Sequence, residues 1–404
     1  MANKQLEVWL VSSFNQETSV FFQRIISDFE KEHKISIKLK LLPWTKLFFR
    51  LVESFKNNQA PDVFQLGSTW VRTLAHLGYL AEVPSDFERP PLTRWVKECC
   101  QYRGKRIAIP WFIEVRSMLV NNKLAQKYGI KPEKIQTHED FFKVCQQLAD
   151  RKQKEPATPV PFLLPIRPEP GTLNLYMTWL FTGGWKFPSL APIPEKIFGD
   201  ISFINSFGFI PRLIKSCNID HEQLKKHPST MYNQFLKGEY LFYMGNWQIA
   251  SLKDARGESV FSKIPIPVST SKWQRWGGGS VFCVSSQSPI TEVGWDLVRS
   301  ITGPENIKEW ISVSGELPSF DTEFWWENME DDSVSRSFDL IQDSQSYPLH
   351  PLWKRLEDML SEKITNYLWY LLEEENTSVA DSLSVLKPID LKIRSLLNKC
   401  WEKN

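Results

Sequence analysis

The feature that most constrains the fold is the order of patterns at the N-terminal end of the chain. LEVWLVSS, Leu6 to Ser13, is a β-rich apolar run ending in small polar residues. An amphipathic stretch follows, with Val20, Phe21, Ile25, Ile26 and Phe29 at helical spacing and Glu30, Lys31 and Glu32 at its end. ISIKLKLLP, Ile35 to Pro43, alternates with the period of a strand, Lys46 to Asn57 is helical again, and Ala60 to Leu66 is a third strand. Strand, helix, strand, helix, strand calls for a parallel, doubly wound sheet, which holds ligands in the crevice beyond the carboxyl ends of its strands. The loops Ser12 to Asn15 and Gly67 to Trp70 stand at those ends.

At 404 residues the chain exceeds what one hydrophobic core usually serves, so two domains are expected. Between Arg106 and Val120, two apolar runs are interrupted by Pro110, Trp111, Glu114 and Arg116. A sheet interior rarely tolerates proline, so this stretch reads as a passage from one domain to the other. A proline-rich, loop-rich insertion from Pro156 to Pro170 keeps enough apolar residues to be ordered, and leads to a helix at Leu173 to Phe181. In WQRWGGGSVFCVSS, Trp273 to Ser286, three glycines precede a strand; no Lys-Ser/Thr follows them, so they are no phosphate loop. Gly315-Glu316-Leu317-Pro318 breaks the pattern again, and helical stretches from His350 to Trp401 finish the chain.

With 49 basic and 47 acidic residues, net +2, no strong field attracts nucleic acid or acidic membranes. No apolar run reaches the length of a membrane span, and no signal-peptide h-region precedes the first strand. The six cysteines are scattered without a CxxC and read mostly as free thiols. The six histidines form no metal-ligand spacing, so neither a metal nor a cofactor is expected. The 17 tryptophans and 26 phenylalanines exceed ordinary core needs, and such rings grip flat apolar faces, those of sugars among them.

Eight collinear segments carry a resemblance: VWLVSS, FEKEHKISIKL, APDVFQLGSTWVRTLAHLGYLAEV, RGKRIAIPWFIEVRSMLVNNKL, KGEYLFYMGNWQIA, GGGSVFCVSSQSP, SGELPS and YPLHPLWKRLEDML. Together they make the chain similar, over essentially its whole length, to the family 1 extracellular solute-binding proteins of ABC importers, the maltose-binding-protein-like group. The resemblance implies an α/β, two-lobed periplasmic-binding-protein fold of type II. Each lobe would be a mostly parallel sheet flanked by helices, with ligand enclosed between the lobes by hinge closure. Residues 1–111 and 281–315 would form the N-terminal lobe, and 112–280 and 316–404 the C-terminal lobe. Three crossovers are expected near Pro110 to Phe112, Trp276 to Val281 and Ser314 to Pro318, where the proline and glycine interruptions already stand.

The resemblance also implies site residues. Trp247 falls where the family places a sugar-stacking aromatic just after a second-lobe strand; the alternative is a core ring. Trp353 matches a stacking aromatic near the C-terminus, or packs within its helix. Glu114 matches a carboxylate at the first crossover, suited to accepting sugar hydroxyls, or pairs with Arg116. Thr69 and Trp70 match polar first-lobe positions, with tryptophan making the wall more apolar and arguing against maltodextrin specificity. Ser13 and Phe14 lie in the first strand-to-helix loop, and Glu169 is a second-lobe contact. Of Trp44, Trp111, Trp185, Trp273 and Trp276, two are expected to line the cleft and three to pack. Gly278, Gly279 and Ser280 either present backbone N–H groups or serve the hinge. Asp62 orients the loop after its strand.

The function these features imply is a non-catalytic, monomeric, extracytoplasmic carrier, lipid-anchored or soluble. It would capture a neutral saccharide or glycoside of about two rings, such as trehalose, sucrose or a glycosylated osmolyte, and deliver it to the transmembrane subunits of an ABC permease. Nucleic acid is not an expected partner. The alternatives are a hydrolase using Glu114 and Glu169 as paired carboxylates, and a binding module that reports to a sensor.

Overall fold

A computed structural model of the protein describes residues 5–12, 16–217, 219–245, 260–269, 274–314, 316–328, 332–374 and 377–401. The chain divides into two compact units, Met1–Glu114 with Gly277–Gln342 and Leu349–Lys354, and Val115–Trp276 with Asp343–Pro348 and Arg355–Asn404. It therefore changes unit within the strand Ile109–Val115, within the strand Arg275–Val284, and three more times between Gln342 and Arg355. Residues 316–328, read from sequence with the second lobe, belong to the first unit because Leu317–Pro318 pairs with Ile113 and Phe112.

In the first unit the strand order is Leu317–Pro318, Ile109–Val115, Arg275–Val284, Val63–Gly67, Gln5–Val11, Ser36–Leu42. Gln5–Val11 runs parallel to both Ser36–Leu42 and Val63–Gly67, as the alternating strand and helix patterns require. Its side chains alternate between two cores. Leu6, Val8 and Leu10 pack with Phe21, Phe22, Ile25 and Phe29 of the helix Gln16–His33. Trp9 and Val11 pack with Leu47, Phe48, Leu51 and Phe55 of the helix Trp44–Lys56. A strand buried on both faces reads as a nearly continuous apolar run, as Leu6 to Val11 does.

The second unit corrects the expectation of a mostly parallel sheet. Its order is Phe261–Pro265, Ser117–Asn121, Tyr240–Gly245, Val160–Phe162, and the first two pairings are antiparallel. The chain enters through Ser117–Asn121, and both strands beside it return against it. In this four-stranded sheet Val160–Phe162, separated from Tyr240–Gly245 by a helical crossover, is parallel to its neighbour. That strand lies inside the stretch read as loop: Pro161 obscured it, and proline is tolerated there because the strand is at the sheet edge. Ser344–Gln345 joins this unit in parallel with Arg275 and Trp276. No described helix is long and apolar enough to cross a membrane.

Candidate functional site

The parallel register of the first unit brings three strand ends to one edge. Val11, Leu42 and Gly67 close their strands there, and Ser12 N–H donates to Leu42 O at 2.9 Å. The sequence places Trp44 two residues beyond one end and the single turn Ser68–Trp70 directly after another. A Cβ on Gly67 would come within 3.3 Å of Trp70 Cδ2, so glycine lets the indole fold back over its own strand end. Trp70 meets Trp44 edge-on at 5.8 Å and Phe48 at 5.6 Å. Trp70 is buried, Trp44 and Thr69 are half-buried, and Phe49, on the same helix as Trp44, is 60% exposed.

Onto this aromatic group the segment Leu349–Lys354 brings a cation. Lys354, itself only 5% exposed, lies 5.3 Å from the Trp70 ring centroid, 5.8 Å from Phe48 and 5.6 Å from Phe49. His350, in the same segment, is pushed down to about 4 by burial and then by His76 and Arg72. Burial also lowers Arg72. His76 Nδ1 and Tyr102 Oη are 2.8 Å apart. Lys354, His350, Arg72 and Phe48 escaped the sequence reading, since nothing local to residues 349–354 announces that they pack some 280 positions upstream.

Trp353 is fully buried at the head of its helix, and its N–H donates to His350 O at 2.9 Å. Trp111 is sealed in the core against Phe282 and Trp310 at 5.2 and 4.8 Å. Glu114 is half-buried at the end of the strand Ile109–Val115. A Cβ on Gly279 would come 2.2 Å from Phe112 O, so this glycine serves the close approach of two strands. Gly278 is buried in the same strand. Ser280 Oγ accepts from Gln65 Nε2 at 2.8 Å and donates to Leu66 O at 3.3 Å, while Gln65 Oε1 accepts from Val11 N–H at 3.0 Å. The Ser280 hydroxyl thus ties three strands of this sheet together. Asp62 accepts from Glu7 N–H at 2.8 Å and from Ser288 Oγ at 2.6 Å, so it fixes the start of its strand to two neighbouring segments, not the loop after the strand as expected.

The second unit assembles a different group. The Arg116 guanidinium lies 5.7 Å from the Trp276 ring centroid, and Tyr347 approaches the same indole at 5.8 Å. Tyr347 Oη donates to Asn174 Oδ1 at 2.6 Å. Asn174 rides on the helix Pro170–Thr182, whose N-cap is Glu169; Arg167 Nε contacts the Glu169 carboxylate at 3.2 Å. Arg275, next to Trp276, is held down to about 10 by burial, with Asp343 at 3.7 Å opposing. Gly245, the last residue of its strand, pairs with Ser117. Trp185 belongs elsewhere: it is 1% exposed, with Phe181, Phe187, Phe198 and Phe203 around it at 5.3 to 6.0 Å. Ser13, Phe14, Trp247 and Trp273 lie outside the described residues.

Residues 24–327 match the family of bacterial extracellular solute-binding proteins. The chain belongs to that family. Among its relatives, the diacetylchitobiose-binding protein DasA of Streptomyces coelicolor is 27% identical over 38% of this chain and 36% of its own. A maltotriose-binding protein of Pyrococcus abyssi is 23% identical over 64% of this chain and 55% of its own. The chain thus aligns with between a third and just over half of each of these relatives. An ABC-transporter solute-binding protein of Thermotoga lettingae, solved with α-D-tagatose, superimposes with a TM-score of 0.81 at 18% identity, covering 98% of this chain and all of its own. That likeness establishes the two-lobed periplasmic-binding-protein fold. Solute-binding proteins capture without transforming, so this one is not an enzyme and the paired-carboxylate reading falls.

In a solute-binding protein, these side chains sort by the unit and the neighbours they pack with, Trp70 and Trp276 being themselves buried. Trp44, Thr69 and Trp70 come together in the first unit, and Arg116, Trp276 and the first turn carrying Glu169 belong to the second. Trp111, Trp185 and Trp353 stand in packed interiors, and Gly279 and Ser280 hold strands together.

Proposed function

We propose that this protein is the capture component of an ABC importer for a neutral saccharide or glycoside of about disaccharide size, acting outside the cytoplasmic membrane and delivering its ligand to permease subunits. One observation carries the reading: each unit sets an aromatic group beside hydrogen-bond donors. Trp44, Phe48 and Trp70 stand with Lys354, and Trp276 and Tyr347 stand with Arg116 and Asn174. A pyranose offers C–H groups on its faces and hydroxyls around its rim. Rings cover the faces at about 1 kcal/mol beyond area, and donors and acceptors satisfy the rim. A micromolar affinity needs about −8 kcal/mol, within reach of two such stacks and several hydrogen bonds after ordering costs.

The names of the relatives support a sugar: one binds diacetylchitobiose and another maltotriose. The indole at position 70 favours a compact disaccharide such as trehalose or sucrose, or a glycosylated osmolyte, over a long maltodextrin. A thermal-shift screen over mono-, di- and trisaccharides, acetamido sugars included, tests this. A ligand at a hundred times its Kd adds about 2.7 kcal/mol to stability. A screen in which no saccharide raises the melting temperature, while amino acids or peptides do, refutes the proposal.

A further inference from the structure

Within the second unit, two helices lie side by side in matched register. On the helix His138–Lys154, His138, Phe142 and Cys145 recur on one face. On the helix Phe209–Ser216 and its C-cap Cys217, the facing positions are Phe209, Arg212 and Cys217. His138 stacks on Phe209 at 4.4 Å and 22°, and the Arg212 guanidinium lies 3.8 Å from the Phe142 ring centroid. From the first rung, Cys145 is ~10 Å along one helix and Cys217 ~12 Å along the other, at ~1.5 Å rise per residue. The two cysteines therefore stand at nearly the same height on the paired helices, roughly a turn beyond the Arg212–Phe142 contact. Both are free and buried, and each thiol acts on the ionisation of the other.

We propose that Cys145 and Cys217 are an oxidation site, joined by a disulfide where the protein works. The proposal rests on the extracytoplasmic reading above, since disulfides persist in oxidising compartments. The neighbouring Cys145 holds the Cys217 thiol below its usual value, whereas burial raises Cys145. Cys217, 7% exposed against 0% for Cys145, is the sulfur an oxidant reaches first. Its thiolate attacks one sulfur of a low-molecular-weight or protein disulfide, forming a mixed disulfide and expelling one thiolate. Cys145 then loses its proton and attacks Cys217 Sγ; the mixed S–S bond breaks and the second thiolate leaves. Two thiols become one disulfide, and the oxidant gains two electrons and two protons.

The bond would pin together the walls of a cavity of about 480 Å³, lined by Thr137, His138 and Glu139 from one helix and Phe209 and Arg212 from the other. The cavity reaches Gly183, the C-cap of the helix whose N-cap is Glu169, so it lies ~20 Å along that helix from the candidate site.

The test uses the folded full chain in a glutathione buffer with the oxidised form in excess, followed by denaturation, alkylation of free thiols and digestion without reduction. The expected result is four of the six cysteines alkylated and a linked peptide pair containing Cys145 and Cys217. The melting temperature should fall by roughly 5–10 °C on adding dithiothreitol, and should not respond in Cys145→Ser. If Cys145→Ser fails to fold, Cys217→Ser, altered at the helix cap, supplies the same comparison. Six alkylated cysteines, or a link involving Cys99, Cys100 or Cys283 in place of this pair, overturns the proposal. Saccharide binding measured on the same samples separates the two readings: an intact link without binding counts against the carrier function, and binding without the link counts against the disulfide.

Discussion

A half-buried indole and an indole sealed on every side respond differently to the same truncation. Trp44 is half-buried, with its edge contact to Trp70 on one side. Trp44→Ala should weaken saccharide binding about tenfold, the equivalent of one lost ring contact, and lower the melting temperature by no more than a few degrees; titration calorimetry and a thermal melt read the two effects separately. Trp185→Ala removes a ring packed among four phenylalanines and should cost about 3–5 kcal/mol of stability, with affinity unchanged in whatever folds. The two would exchange roles if Trp44→Ala unfolded the protein and Trp185→Ala abolished binding. Nothing local in the sequence distinguishes these residues. Composition announces a surplus of rings, but which rings face solvent is decided by partners far along the chain, as Lys354 is for Trp70.

At the scale of elements, regular patterns were legible and irregular ones were not. The first three strands and their helices read directly because parallel pairing with helical crossovers imposes two clean periodicities. Val160–Phe162 did not, since two prolines flank and interrupt three residues, too few to show alternation. The glycines before Val281 were legible as unusual but not as to purpose. Their strand neighbour explains one of them: a Cβ at Gly279 would stand 2.2 Å from Phe112 O. Backbone cannot swing aside as a side chain can, so Gly279→Ala must push two strands apart, at about 3 kcal/mol. Gly171, in the first turn of Pro170–Thr182, has nothing within 4 Å of where a Cβ would stand, and Gly171→Ala should change stability by no more than about 0.5 kcal/mol. Chemical denaturation of the two variants checks the contrast, and equal midpoints would show that the strands tolerate the extra carbon.

For the whole molecule, each unit encloses one histidine held neutral, and acid therefore acts on both. In the second unit His138 lies between Trp179 and Phe209, and burial pushes it from 6.5 down to about 4. In the first unit His350 is likewise pushed down to about 4, by burial and by neighbouring His76 and Arg72. Below pH 6.5 the unfolded chain takes up protons that the folded chain refuses, so stability is full above 6.5 and drains away as pH falls toward 4, where the folded histidines also charge. For His138 the gap from 6.5 to about 4 corresponds to about 3 kcal/mol. His138→Phe keeps the ring between its two neighbours. It leaves the Thr182 hydroxyl bonded to Thr178 O at 2.9 Å. Thermal melts from about pH 7 to 4 should show a steep loss in the native chain and a shallower one in His138→Phe, the remainder belonging to His350. Parallel curves for the two proteins would mean that His138 takes up its proton while folded at an ordinary pH, and that the second unit's core admits charge more readily than its aromatic surroundings imply.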